Sequence, residues 1–237
     1  MSDDTGFLYP FIEAEENDPQ SLLADLASSA REKAAVSREL QRSSLERMEA
    51  DIVAAGRAMG ERFVAGGRLY TFGNGGSSTD AATLAGLFCN PPAGRPVPAW
   101  SLTDDQAVVT ALGNDVGFDL IFSRQIIAHS HPGDIAVALS TSGNSDDLLR
   151  GLGEAHRRGL LTIGFAGYDG GQMQASEDLD YCFTVDSQSI HRIQESHAMI
   201  GHRLWTHAQE AMRELRAARR GQAAEGSTTT AREEVSR

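Results

Sequence analysis

The sequence predicts an α/β fold, with a parallel sheet flanked by helices. Three observations carry that expectation. Short apolar runs punctuate the chain at residues 68–72, 97–101, 134–140, 161–165 and 181–185. Helical stretches lie between most of them, notably 145–158 and 171–177, and strands alternating with helices at this spacing give parallel sheets. Two glycine- and serine-rich loops each follow a strand and open a helix.

In chain order, residues 1–18 come first. They hold six acids and no base, together with Phe7, Leu8, Tyr9, Phe11 and Ile12. They read as a disordered acidic extension or as a segment that docks on a partner. Asp18-Pro19 then pairs a capping residue with proline at the first helical position. Leu22, Leu23, Leu26, Ala30, Ala34 and Leu40 recur at spacings near three and four. Leu45, Met48, Ile52, Ala55, Met59 and Phe63 repeat that pattern up to Gly66-Gly67, so two long amphipathic helices are expected. The last helix is expected from about Ile190 to about Ala218. Residues 219–237 lack apolar periodicity and read as a disordered tail. One domain over residues 19–218 remains.

Composition removes several function classes. Lys and Arg number 21 against 33 Asp and Glu, a net charge of −12 over 237 residues. A bulk basic surface for direct nucleic-acid binding is excluded. No apolar run approaches the roughly 20 residues that span a bilayer. The N-terminus is acidic where an export signal is basic, which points to the cytoplasm. Cys89 and Cys182 form no CxxC and read as two reduced thiols.

The two loops carry the chemistry. In Gly73-Asn74-Gly75-Gly76-Ser77-Ser78-Thr79, glycines let the backbone approach a ligand, and the following helix presents free N–H groups and hydroxyls. Ser140-Thr141-Ser142-Gly143-Asn144-Ser145 repeats that arrangement. Two such loops at the carboxyl ends of parallel strands point to one phosphorylated ligand. A P-loop is excluded, because Lys33 is the only lysine, and 73–76 does not fit G-x-G-x-x-G. Neutral donors suit a small phosphosugar better than a nucleoside triphosphate with magnesium.

With Leu112-Gly-Asn-Asp-Val-Gly-Phe118, Phe122-Ser-Arg-Gln125, Gly133-Asp134, Gly167-Tyr-Asp-Gly-Gly171 and Arg192-Ile-Gln-Glu-Ser-His197, these loops resemble the sugar isomerase (SIS) domain family. Within it they are similar to the sedoheptulose 7-phosphate (phosphoheptose) isomerases. The motifs run in family order across residues 20–215. The resemblance implies a five-stranded parallel sheet, a homotetramer and a phosphosugar site at subunit interfaces. It places phosphate on Ser77, Ser140, Thr141, Ser142 and Ser145, beside Asn74 and Gly75, and Asp115 in the substrate pocket. It also implies a base, an acid and zinc for aldose–ketose isomerisation through an enediol. The family's His and Glu on the helix after the first loop are here Thr83 and Leu87, neither of which suits proton transfer at those positions. Gln194 and His202 remain, an incomplete zinc set, with His202 as candidate base and His191 as candidate replacement acid or base. His197 reads as a structural hydrogen-bonder, and His129, His131, His156 and His207 as solvated.

Three functions follow from this pattern. The first is a phosphosugar-binding protein with lost or altered isomerase activity and a sensing or regulatory role, and with residues 1–18 as a route to a protein partner. The second is an active sedoheptulose 7-phosphate isomerase, an intramolecular oxidoreductase using His202. The third is different sugar-phosphate chemistry. The missing pair on the helix, against two intact loops, favours the first.

Overall fold

The computed structural model describes the backbone over residues 19–235 and side chains over residues 20–221. The expected N-cap at Asp18 and the extension before it lie outside the described residues. Among the described residues seven α-helices and five strands follow in the order α1 (Pro19–Val64), β1 (Leu69–Gly73), α2 (Gly76–Cys89), β2 (Ala99–Ser101), α3 (Gln106–Asp115), a 3-10 turn (Phe118–Leu120), α4 (Ile121–His129), β3 (Ile135–Leu139), α5 (Asp146–Arg157), β4 (Leu161–Gly167), α6 (Gly171–Gln174), β5 (Tyr181–Val185) and α7 (Ile190–Val235).

Two helix boundaries differ from the sequence expectation. The two N-terminal helices are one, α1, of 46 residues. No glycine or proline interrupts residues 40–45, and Arg42 pairs with Glu46 one turn on at 2.8 Å, so nothing there ends the hydrogen-bond ladder. At the other end α7 continues past Ala218 to Val235, through the segment expected to be a disordered tail. The first part of that segment is rich in Ala, Arg and Gln, which are strong helix formers.

The chain divides into two compact units, residues up to Glu39 and residues from Leu40 onward. In the first, Leu22, Leu23, Leu26 and Val36 are exposed on the helix. The second holds the sheet.

The sheet order is β2-β1-β3-β4-β5, and every pair is parallel. Strands of a parallel sheet are covered on both faces, so they read as continuous apolar runs, and β1, β3 and β4 are buried throughout. Alternate residues divide between two cores. Leu69, Ile135, Val137, Ile163, Phe165 and Phe183 pack with Ile52 and Met59 of α1, Phe88 of α2 and Ile200 and Leu204 of α7. Tyr70, Phe72, Ala136 and Ala138 pack with Phe122 of α4 and Leu148 and Leu152 of α5.

The chain leaves β1 toward one edge, to β2, and returns to place β3 on the other side of β1. The strand order therefore reverses between β1 and β3. Their carboxyl ends open a crevice there, the usual ligand position in such sheets. Both serine-rich loops emerge at that point.

Candidate functional site

The first loop runs from β1 into α2. Gly75 adopts φ +54° where the chain turns into the helix. Ser77 and Ser78 direct their backbone N–H groups to the carbonyls of Asn74 and Gly75, which tightens the first turn. The Ser78 hydroxyl donates to Gly75 at 2.6 Å, whereas the Ser77 hydroxyl, largely buried, has no hydrogen bond among the described residues.

The second loop is pre-shaped by its own serines. Ser140 Oγ accepts from the Gly143 N–H at 3.0 Å, and Ser142 Oγ accepts from the Asn144 N–H at 3.3 Å. Gly143, at φ +67°, leaves no room for a side chain, because a Cβ would collide with the Gly170 carbonyl. The turn after β4 braces this loop from behind: Met173 N–H donates to Gly143, and Gln172 N–H to Asn144 Oδ1. Ser145 stands at the N-cap of α5 without capping it, and Thr141 is half-buried. Both hydroxyls are without a hydrogen bond among the described residues.

Asn74 does something the sequence did not reveal. Its amide donates to both carboxylate oxygens of Asp147, at 3.0 and 2.9 Å, and so ties the first loop to the first turn of α5. Burial pushes the Asp147 carboxyl up from its ordinary value, and the Asn74 bond offsets this in part. Asn74 thus acts first as the cross-link that brings the loops together. That bond joins the loop ahead of α2 to the start of α5, and the N-terminus of each helix carries a positive dipole end.

Beside the first loop lies a cavity of about 290 Å³. Asn74, Ser78, Thr103, Gln106 and Thr110 offer it polar groups, and Phe118 and Phe122 offer ring faces. Sequence reasoning missed this wall, because α3 and the 3-10 turn are brought to the loop only by packing.

A second, smaller cavity of about 70 Å³ lies between α2 and α7, lined by Asp80, Thr83, Leu84, Leu87, His197 and His202 among others. The fold does bring His202 next to positions 83 and 87. Thr83 directs its hydroxyl to the Thr79 carbonyl at 2.8 Å, within its own helix. The His202 ring packs on Trp205 at 5.2 Å and has no hydrogen-bond partner among the described residues. Gln194 adjoins the cavity by donating to Asp80 Oδ2 at 3.1 Å. Burial raises the Asp80 carboxyl, and the Gln194 bond works against that.

Two expected site residues, His191 and Asp115, do not line these cavities. His191 is exposed in the first turn of α7 and does not line this cavity. Asp115, exposed at the end of α3, accepts from Asn114 at 2.7 Å and lines neither cavity. His207, expected to be solvated, is largely buried beside Glu210 and Glu49, at 3.1 and 3.8 Å. His197 is 1% exposed and bonds Ala166 O through Nε2 at 2.9 Å. Desolvation lowers its pKa to about 4, so the ring is neutral, and its buried Nδ1 has no partner.

The donors around His202 do not fit zinc. Its neighbours in the cavity include a threonine with an engaged hydroxyl, leucines, Ala198 and the buried His197, whose Nε2 is bonded to Ala166 O. Asp80 is held by the Gln194 amide. Among the described residues no three His, Cys, Asp or Glu side chains gather as metal ligands.

The SIS domain family matches residues 34–167, more than half of the chain. The phosphoheptose isomerase of Aquifex aeolicus is 46% identical over 141 residues, covering 58% of this chain and 72% of that protein. That of Rhodospirillum rubrum is 45% identical over 144 residues, 59% and 74% of the two. The solved phosphoheptose isomerase of Neisseria gonorrhoeae superposes with a TM-score of 0.72 at 30% identity, covering 78% of this chain and 99% of that one. The sheet order, the two loops at its switch point and these likenesses agree: the chain belongs to the SIS domain family and is of the phosphoheptose isomerase type.

Proposed function

We propose that this protein binds a sugar phosphate at the β1/β3 switch point and no longer carries out the aldose–ketose isomerisation of its relatives. It then serves as a sensor or regulatory subunit, and as a homotetramer. The observation that carries this reading is the contrast between the two halves of the site. Two helix N-termini and the free hydroxyls of Ser77, Thr141 and Ser145 suit a phosphate dianion. Asn74, Ser78, Thr103, Gln106 and Thr110 in the adjoining cavity suit the hydroxyls of a sugar chain. Proton transfer through an enediol needs an oriented base and an acid, and such groups contribute roughly 10² to 10⁴ each in rate. Here Leu87 has no proton to give, and among the described residues no hydrogen bond orients the His202 ring, which packs on Trp205.

One observation favours a second reading. Asp80, its carboxyl raised by burial, lines the same cavity as His202 and could serve as the acid of a rearranged isomerase.

The test pairs two measurements on the full chain. Sedoheptulose 7-phosphate is incubated with zinc-supplemented protein and followed by NMR, and melting temperatures are recorded with a panel of sugar phosphates. The expected result is no turnover, with a rise of about 5–10 °C for the best ligand at 100 times its Kd, which is about 2.7 kcal/mol of linkage at 2–4 °C per kcal/mol. Turnover abolished by His202→Ala or Asp80→Asn establishes the second reading instead. A panel that shifts nothing overturns sugar-phosphate binding altogether.

A further inference from the structure

A cavity of about 280 Å³ separates the loop after α2 from the C-terminal half of α7. Arg95 lines it from the loop, and Arg213, Arg216 and Arg220 line it from the helix. The helical three sit at spacings of three and four, which puts them on one face. Among the described residues no carboxylate lines the cavity. Elsewhere arginines are offset, Arg157 by Glu154 and Arg203 by Glu49, but these four pair with no carboxylate among the described residues.

The arrangement is held in place. Gln209 on α7 accepts from the Arg95 N–H and donates to the Arg95 carbonyl, both at 2.8 Å, so the loop backbone is clamped to the helix. Buried Met212 lies beside it. Partial burial and then the like charges of Arg95, Arg220 and Arg219 depress the Arg216 pKa from the ordinary arginine value. Four guanidinium groups with no carboxylate partner among the described residues, in a chain of net charge −12, are a local concentration that overall composition opposes.

We propose that this cavity is a second ligand site, for a small anion of the diphosphate class carrying several negative charges. Guanidinium forks bond phosphate oxygens two at a time, and several forks on one face favour a ligand with more than one phosphate. The serine loops lie at the opposite end of α2, a 14-residue helix and so about 20 Å away. The site is therefore independent of the sugar-phosphate reading.

Inorganic pyrophosphate titrated calorimetrically into the full chain tests it. Binding is expected that weakens severalfold as salt screens the charges. The double variant Arg213→Gln/Arg216→Gln is expected to lose at least tenfold in affinity. Ser145→Ala, and the charge-matched Arg57→Gln/Arg150→Gln on other surfaces, are expected to change it by less than twofold. The single variant Arg95→Gln, read alongside each variant's melting temperature, separates lost binding from lost folding. No binding at millimolar pyrophosphate overturns the proposal. So does an equal loss in the charge-matched pair, which means diffuse attraction, or a loss confined to Ser145→Ala, which means the serine loops took the probe.

Discussion

Serines in the same loop have separable duties. Ser140 is buried and accepts a backbone N–H, so Ser140→Ala leaves that donor without its partner and should cost about 1–3 kcal/mol in urea unfolding. Ser145 caps nothing, so Ser145→Ala should leave the unfolding free energy within about 0.5 kcal/mol. It should instead weaken sugar-phosphate binding roughly tenfold, as expected for one hydrogen bond to a charged group. His197 gives a pH signature. Its folded pKa of about 4 lies below the ordinary 6.5, so between these values the unfolded chain binds the extra proton. Stability is fully present above pH 6.5 and is lost as pH falls toward 4, by about 3 kcal/mol. The raised carboxyls of Asp80 and Asp147 act in the opposite sense near the carboxylate range. The difference between wild type and His197→Gln, measured by chemical unfolding at several pH values, isolates the histidine. A parallel pH dependence in the two proteins would remove His197 as its source.

Between elements, close approach is what matters. α1 and α7 cross where Gly60 faces Ala211, and a Cβ at position 60 would lie 2.6 Å from the Ala211 Cβ. Gly60→Ala should therefore destabilise by about 1–3 kcal/mol by overpacking, despite the gain of about 1 kcal/mol in helix propensity. A variant that melts higher than wild type would show that the crossing can relax. The same scale separates what was legible from what was not. Strands buried on both faces announce themselves as apolar runs, and all five appear within two residues of where they were expected. The joining of two expected helices into α1 was not legible, because periodicity marks faces while continuity depends on the absence of a stop. The Asn74–Asp147 cross-link was equally hidden, since it spans 73 residues of sequence.

The leucines at 22, 23 and 26 are 42%, 65% and 56% exposed, an apolar stretch that a soluble helix seldom leaves uncovered. We expect sedimentation equilibrium to give a tetramer, and Leu23→Asp/Leu26→Asp to reduce it to smaller species. An unchanged mass in that variant would place the interface elsewhere. Among the described residues no helix is long and apolar enough to cross a membrane.

The sequence by itself determined the sheet, the two glycine- and serine-rich loops and the threonine and leucine at positions 83 and 87, because each is written locally, in apolar runs, in glycine spacing and in residue identity. Only the tertiary structure decided which groups meet. It placed Asp80, Thr83, Leu87 and His202 around one cavity, left His191 and Asp115 outside it, and gathered Arg95 with three arginines from more than a hundred residues later. The physical reason is that a crossover returns distant segments to neighbouring positions, and no local pattern encodes which side chains then face each other.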